Sequence, residues 1–342
     1  MAQFAPRDND TDAVLYAQEG VLGRIRLNRP SVINALDLDM VTSMTRQLQE
    51  WASDDSIAAV ALDGAGDRGL CAGGDIRWLR QLIIDSGPEA AIDFWKHEYR
   101  LDALIAEYAK PVVAYMNGVT MGGGIGVSGH ASLRLTTEDA KIAMPETGIG
   151  LFPDVGASYL LARAPGETGT HMAMSGLPVD GRSAVACGLA DGVVNNEQFE
   201  KVCAGLADGD SVQSHRFEST DDAPIDAARE WIDECYRGDD AVAILTALQE
   251  HSSKDARSAA KTVASRSPLS VAVSLEAVRR ASKLSLRGVF AQDARLGHTF
   301  ATDSDLLEGV RAVIVDKDHN PSWRDKSLSD VDMDRVRAMF AK

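Results

Sequence analysis

Cysteine is scarce in this chain: Cys71, Cys187, Cys203 and Cys235 lie far apart, with no C-x-x-C pair. That spacing supports neither a zinc site nor a disulfide framework, so reduced thiols and no metal are expected. No apolar run approaches bilayer-spanning length, and the N-terminal MAQFAPRDNDTDAV lacks a basic end followed by an apolar stretch. A cytoplasmic protein with no membrane association is the expectation. Positive charge is also short, with 35 Lys and Arg against 51 Asp and Glu and a net charge of −16. Such a surface repels nucleic acid phosphates, although a local cationic patch still suits a small anionic ligand. No serine sits in a G-x-S-x-G elbow and no cysteine has a protease-type context. His97, His130 and His171 therefore read as surface or satisfied core histidines.

What is present is an ordinary globular composition, 45% hydrophobic and 25% charged over 342 residues, enough for one large or two medium domains. Strand-like and helix-like runs alternate through the first two hundred residues. Val14–Tyr16 and Val21–Leu27 read as paired strands, and residues 37–52 carry Leu38, Val41, Met44, Leu48 and Trp51 at helical spacing. Ala58–Asp63 is a short buried strand, 88–109 a second helix, and Pro111–Met116, Ser132–Thr136 and Lys141–Met144 further strands. This alternation predicts an α/β core. The stretch 208–224 is polar and turn-rich, and helical periodicity prevails from Ile225 onward. The division expected is a core over 1–205 and a helical region over 206–342, with no internal repeat.

Gly124-Ile-Gly-Val-Ser-Gly129 matches G-x-G-x-x-G, and Glu146 follows Gly126 by twenty residues. A dinucleotide site needs a strand, the glycine turn, a crossover helix and a second strand ending in the acid. Here Asn117–Met121 separates the turn from its strand, and two residues separate Gly129 from the next strand. No crossover helix fits, so no nicotinamide cofactor is expected. Three successive glycines, Gly122 to Gly124, still permit close main-chain approach, in a tight turn or at an anion-binding helix start. A second glycine-rich turn, Gly69–Arg77, also follows a strand. Two such turns can each offer one N–H to a single oxyanion.

Three acids stand out. Glu146 follows Pro145 among apolar residues and glycines, surroundings that raise a carboxyl pKa and suit acid or base work. Asp154 precedes an expected helix over 155–162 and reads equally as an N-cap or first-turn acid. Glu98 shares a helical row with Phe94, Leu101 and Ile105, with Asp102 near the edge of that face. An acid there faces a cleft or is salt-bridged in the core.

Leu27-Asn-Arg-Pro30, Cys71-Ala-Gly-Gly-Asp-Ile76, Asn117-Gly-Val-Thr-Met-Gly-Gly-Gly124 and Met144-Pro-Glu146 together resemble the enoyl-CoA hydratase/isomerase (crotonase) superfamily over roughly residues 12–200. Met144–Gly156 and the stretch 303–323 are similar to its 3-hydroxyisobutyryl-CoA hydrolase branch. The resemblance implies an α/β spiral of ββα turns followed by C-terminal helices, and an acyl-CoA thioester as substrate. It implies oxyanion donors at Ala72 and Gly123, catalytic Glu146 and Asp154, and Glu98, Gly73, Gly74 and Asp75 as further substrate contacts. No cofactor is implied beyond the coenzyme A of the substrate, and C-terminal helices often trimerise such chains. Hydratases of the superfamily carry a glutamate where this chain has Gly126, and syn hydration shares proton work between two carboxylates. The implied reaction is therefore thioester hydrolysis of 3-hydroxyisobutyryl-CoA or a close β-hydroxyacyl-CoA, in valine breakdown. An enoyl-CoA hydratase or isomerase with a displaced acid, or a non-catalytic acyl-CoA-binding relative, are the alternatives. Ser31 stands where many members have a lysine, which leaves Arg29 and Lys317 as candidate CoA-phosphate contacts.

Overall fold

The structure is a computed structural model that describes residues 3–215, 217 and 222–341. The chain forms two compact units, each assembled from three stretches. The first comprises residues 1–75, 97–142 and 179–223, and the second 76–96, 143–178 and 224–342. The single division expected near residue 205 thus differs from an interleaved arrangement. Parallel strands impose it, because each needs a long connection that leaves the sheet and returns.

The first unit is built on a six-stranded sheet. Strands β1 (Val14–Glu19) and β2 (Leu22–Leu27) pair antiparallel, Val14 opposite Leu27. Asp37 then caps α1 (Leu38–Ala52), its carboxylate accepting the Met40 N–H, and α1 buries Val41, Met44, Leu48 and Trp51, the apolar row expected. β3 (Ala59–Gly64) lies parallel to β2 and is buried nearly throughout, as a strand covered on both faces should be. After α2 (Ile76–Ser86) and α3 (Pro88–Ala106), β4 (Val112–Met116) adds parallel to β3. β5 (Val119–Met121), α4 (Gly123–Gly129), β6 (Leu133–Thr136) and β7 (Lys141–Ala143) follow. β6 joins β4 in parallel, while β5 and β7 form a separate two-stranded sheet.

Beyond the turns and helices α5 (Ala157–Leu161), α6 (Thr168–Ser175) and α7 (Gly181–Ala186), β8 (Gly192–Val193) closes the large sheet beside β6. α8 (Asn196–Ala207) starts with a capping box between Asn195 and Gln198 and lays Phe199, Val202, Cys203 and Leu206 on the sheet. Tyr115 stacks on Phe199 at 4.3 Å, and buried Arg24 bonds Asp63 (2.8 Å) and Glu200 (3.0 Å) beneath them.

The helical region comprises α9 (Arg229–Cys235), α10 (Ala241–Glu250), α11 (Lys254–Ser265), α12 (Pro268–Ala281), α13 (Leu286–Phe300), α14 (Ser304–Val310) and α15 (Met333–Met339). With α2, α5, α6 and the first part of α3 these belong to the second unit. Its centre is α12, whose Pro268 fits the first helical position and whose buried face runs from Leu269 to Ala281. Ser267 caps it and donates from its hydroxyl to Asp305 of α14 at 2.7 Å. The polar stretch 208–224 lies partly outside the described residues; within it Val212–Ser214 forms a single 3-10 turn.

Candidate active site

In the first unit the two glycine-rich turns lie side by side. Leu70 and Cys71 donate their N–H groups to Asn117 and Val119 (2.9 and 3.2 Å), and Met121 returns one to Cys71 (3.0 Å). Along the loop that follows, the donors differ from the expectation. The Ala72 N–H is already engaged by the Ile33 carbonyl at 2.9 Å, and that of Asp75 by Leu36 at 2.7 Å. Ala72 therefore has no N–H to offer an oxyanion, which corrects its assignment. The Gly74 N–H makes no hydrogen bond among the described residues. Its nitrogen lies 3.3 Å from where a Cβ on Gly123 would stand. Gly123 opens α4, and the first N–H groups of a helix have no intrahelical acceptor. Gly74 and Gly123 are thus the two donors that converge.

At position 123 an added Cβ would overlap Glu98 Oε1, so the glutamate fills that space. Position 126 is filled in the same way: a Cβ there would lie 2.7 Å and 2.9 Å from the carboxylate oxygens of Asp102. Glu98 and Asp102 are one helical turn apart on α3, exposed 2% and 0% respectively, among Leu101 and Ile105. So α3 presses two carboxyl groups onto the glycine face of α4. The row that singled out Glu98 is confirmed as buried, and Asp102, weighed only as an edge position, is buried more deeply. Cys71 is also fully buried; burial pushes its thiol up to about 12, with Glu98 and Asp102 adding to the rise. It is a packing residue rather than a nucleophile.

The other expected contacts in this unit are committed. Asp75 pairs with Arg29 at 3.0 Å, and Arg29 also donates to the Ala35 carbonyl (2.6 Å) and approaches Asp37 (3.3 Å). Arg29 braces the glycine loop from below. Lys317 belongs to the second unit, exposed and in a left-handed conformation at φ +57°.

In the second unit Glu146 begins a 3-10 turn, Glu146–Ile149, and is 5% exposed. Its carbonyl accepts the Leu151 N–H at 3.0 Å, and the neighbouring Thr147 carbonyl accepts from Ser267 at 3.0 Å. The acid thus rides on a turn anchored to the cap of α12. Asp154, also 5% exposed, precedes Val155 at φ +51° and Gly156 at φ +74°. Two left-handed residues in succession cannot continue a helix, so α5 begins at Ala157 instead of 155, with Gly156 as its N-cap. Asp154 is therefore not the capping acid. The Gly156 N–H is taken by Asp293 Oδ2 at 2.9 Å.

Asp293 is a residue that the sequence reading missed. It is fully buried, burial pushes its carboxyl well above the usual carboxylate range, and the negative charge of Asp154 adds to the rise. A signal was present: Asp293 shares a row with Val289, Leu296 and Phe300, the same apolar spacing that drew attention to Glu98.

The sequence pattern of enoyl-CoA hydratase/isomerase matches residues 22–340. A curated relative named 3-hydroxyisobutyryl-CoA hydrolase, mitochondrial, from Danio rerio is 36% identical over 96% of this chain and 89% of its own length. One of the same name from Homo sapiens is 34% identical over 94% and 87%. Among solved structures, a carnitinyl-CoA dehydratase from Mycobacterium thermoresistibile superposes with a TM-score of 0.91 at 42% identity, covering 97% of both chains. An enoyl-CoA hydratase from Rhodobacter sphaeroides gives 0.92 at 34%, covering 96% of this chain and 97% of that one. The mitochondrial names do not support the cytoplasmic placement expected above. Among the described residues, no helix is long and apolar enough to cross a membrane.

Proposed function

The chain belongs to the enoyl-CoA hydratase/isomerase family, and from that premise we propose that it hydrolyses a β-hydroxyacyl-CoA thioester, foremost 3-hydroxyisobutyryl-CoA. The observation that carries this reading is the pairing of a buried Glu146 with a glycine at position 126 whose side-chain space the Asp102 carboxylate occupies. The names of the curated relatives support the same substrate.

In the proposed reaction the N–H groups of Gly74 and Gly123 polarise the thioester carbonyl and stabilise the tetrahedral oxyanion. Glu146 takes a proton from water as the water oxygen adds to the carbonyl carbon, or attacks that carbon itself to give an anhydride that water opens. By the first route the C–S bond breaks as the tetrahedral intermediate collapses; by the second it breaks as the anhydride forms, before water opens it. In both, the thiolate of coenzyme A takes up a proton and the acyl group leaves as a carboxylate. Asp154 orients the substrate hydroxyl or delivers the proton to sulfur. Glu98 lines the acyl pocket, beside Gly123. Gly73 contributes the close backbone approach of the same loop, and Asp75 holds Arg29 beneath it. A cytoplasmic location and self-association through the C-terminal helices complete the proposal, read by cell fractionation and by light scattering on the purified chain.

One observation favours a second reading, dehydration or hydration of the same thioester class. Asp102 brings a carboxyl group to the side-chain space of position 126, and a dehydratase is among the similar structures. A single experiment separates the two. Thiol released from 3-hydroxyisobutyryl-CoA is followed beside loss of enoyl absorbance from crotonyl-CoA. Thiol release without enoyl loss is expected; the reverse would replace hydrolysis with hydration, and binding without either reaction would mark a non-catalytic relative.

A further inference from the structure

Asp293 projects from α13 into the interior of the second unit with no exposed surface. One carboxyl oxygen, Oδ2, accepts the Gly156 N–H at 2.9 Å. The other, Oδ1, is buried and has no hydrogen-bond partner among the described residues. The turn it holds is under strain, because Val155 is β-branched yet adopts φ +51°, a conformation that persists only where its surroundings enforce it. An ionised Asp293 would bury an uncompensated charge near a second carboxylate, an arrangement with a large desolvation cost. Burial and the charge of Asp154 both favour the neutral acid. A neutral carboxylic acid has an O–H to donate where an ionised one has none.

We propose that Asp293 is a positioning residue for Asp154: as a neutral acid it accepts the Gly156 N–H and so fixes the Asp154–Gly156 turn and the place of the Asp154 carboxyl. The inference rests on the reading of Asp154 as a group that acts on the acyl-CoA, and it adds a residue to which that reading gives no role.

The test uses the purified full chain. Infrared spectra at neutral pH should show the carbonyl stretch of a protonated carboxylic acid in the wild type, and Asp293→Asn should abolish that band. Asn keeps the acceptor for Gly156 and, like the neutral acid, carries no charge, so Asp293→Asn should retain kcat and KM near the wild-type values. Asp293→Leu removes the acceptor, and kcat should fall about 10- to 100-fold with little change in KM, the cost of a misplaced group. Adding Asp154→Asn to Asp293→Leu should cost far less than Asp154→Asn does alone, because the two residues act as one unit. A band untouched by Asp293→Asn, an Asn variant as impaired as the Leu variant, or fully additive losses would each overturn the proposal. Should Asp293→Leu fail to fold, the infrared band and the Asn variant still decide. Should the wild type release no thiol, the functional reading fails, while the band continues to test the pair by itself.

Discussion

At Gly126 the side chain that is absent leaves its space to the carboxyl group of Asp102. Adding a methyl there ordinarily stabilises a helix by about 1 kcal/mol. Here the added Cβ would stand 2.7 Å from the Asp102 carboxylate, and overpacking of that kind costs about 1–3 kcal/mol. Gly126→Ala should therefore lower the denaturation midpoint, and in an Asp102→Ala background the same change should raise it. Equal effects in both backgrounds would mean that Asp102 does not hold that space. For Glu146→Gln the expected outcome is a loss of about 10²–10⁴ in the rate of thiol release, the usual contribution of a positioned acid or base, with unchanged circular dichroism. Full activity in that variant would remove Glu146 from the mechanism. The burial of Glu98 was legible in its apolar row, and Glu146 and Asp154 stood out among glycines and prolines, whereas Gly123 was singled out by the family resemblance. The donor of the glycine loop was not legible. Whether Ala72 or Gly74 has an open N–H depends on Ile33, some forty residues earlier, whose carbonyl claims the first of them.

Among the elements, the cap of α12 carries more than its own helix. The Ser267 hydroxyl accepts the Ser270 N–H at 3.3 Å and donates to Asp305 at 2.7 Å, while its backbone N–H reaches the carbonyl of Thr147, next to Glu146. Asp305 is buried, and its carboxyl is pushed above the usual range mainly by that burial, with the Arg324 N–H and the Ser267 hydroxyl opposing the rise. Ser267→Ala removes a cap and leaves a buried carboxylate oxygen without its donor. A loss of about 1–3 kcal/mol in urea unfolding is expected. Ser267→Thr, which keeps the hydroxyl, should recover most of it. A silent Ser267→Ala would show that the turn is held elsewhere. Element types were read well from periodicity, since α1, β3, β4 and α3 all fall within a few residues of their expected bounds. The late start of α5 was not, because nothing in Val155 itself signals a left-handed backbone.

For the molecule as a whole, pH acts on stability through a buried histidine. His171 is buried, its Nδ1 2.9 Å from the Tyr236 hydroxyl and its ring edge-on to Trp231. Burial lowers it to about 4, against 6.5 in an unfolded chain. Between those values the unfolded chain binds a proton that the folded chain refuses. Stability is therefore retained above pH 6.5 and lost as pH falls toward 4, by up to about 3 kcal/mol from this group. In His171→Gln that part of the slope should vanish, and the difference between the two profiles cancels the titration of every other group. Parallel profiles would show that His171 is not the cause. The interleaving of the two units was the least legible property of all. It depends on which distant stretches pack together, whereas composition changes only once along the chain, near residue 205. That interleaving also sets a schedule for synthesis. Residues 76–96 and 143–178 leave the ribosome long before 224–342, the stretch with which they form a compact unit. At typical elongation rates of about 5–20 residues per second, α2 waits roughly 10 to 50 seconds for α14. Throughout that interval its apolar face, Leu79 and Ile83, lacks the helix that later covers it, so the nascent chain should depend on chaperones more than its finished stability suggests.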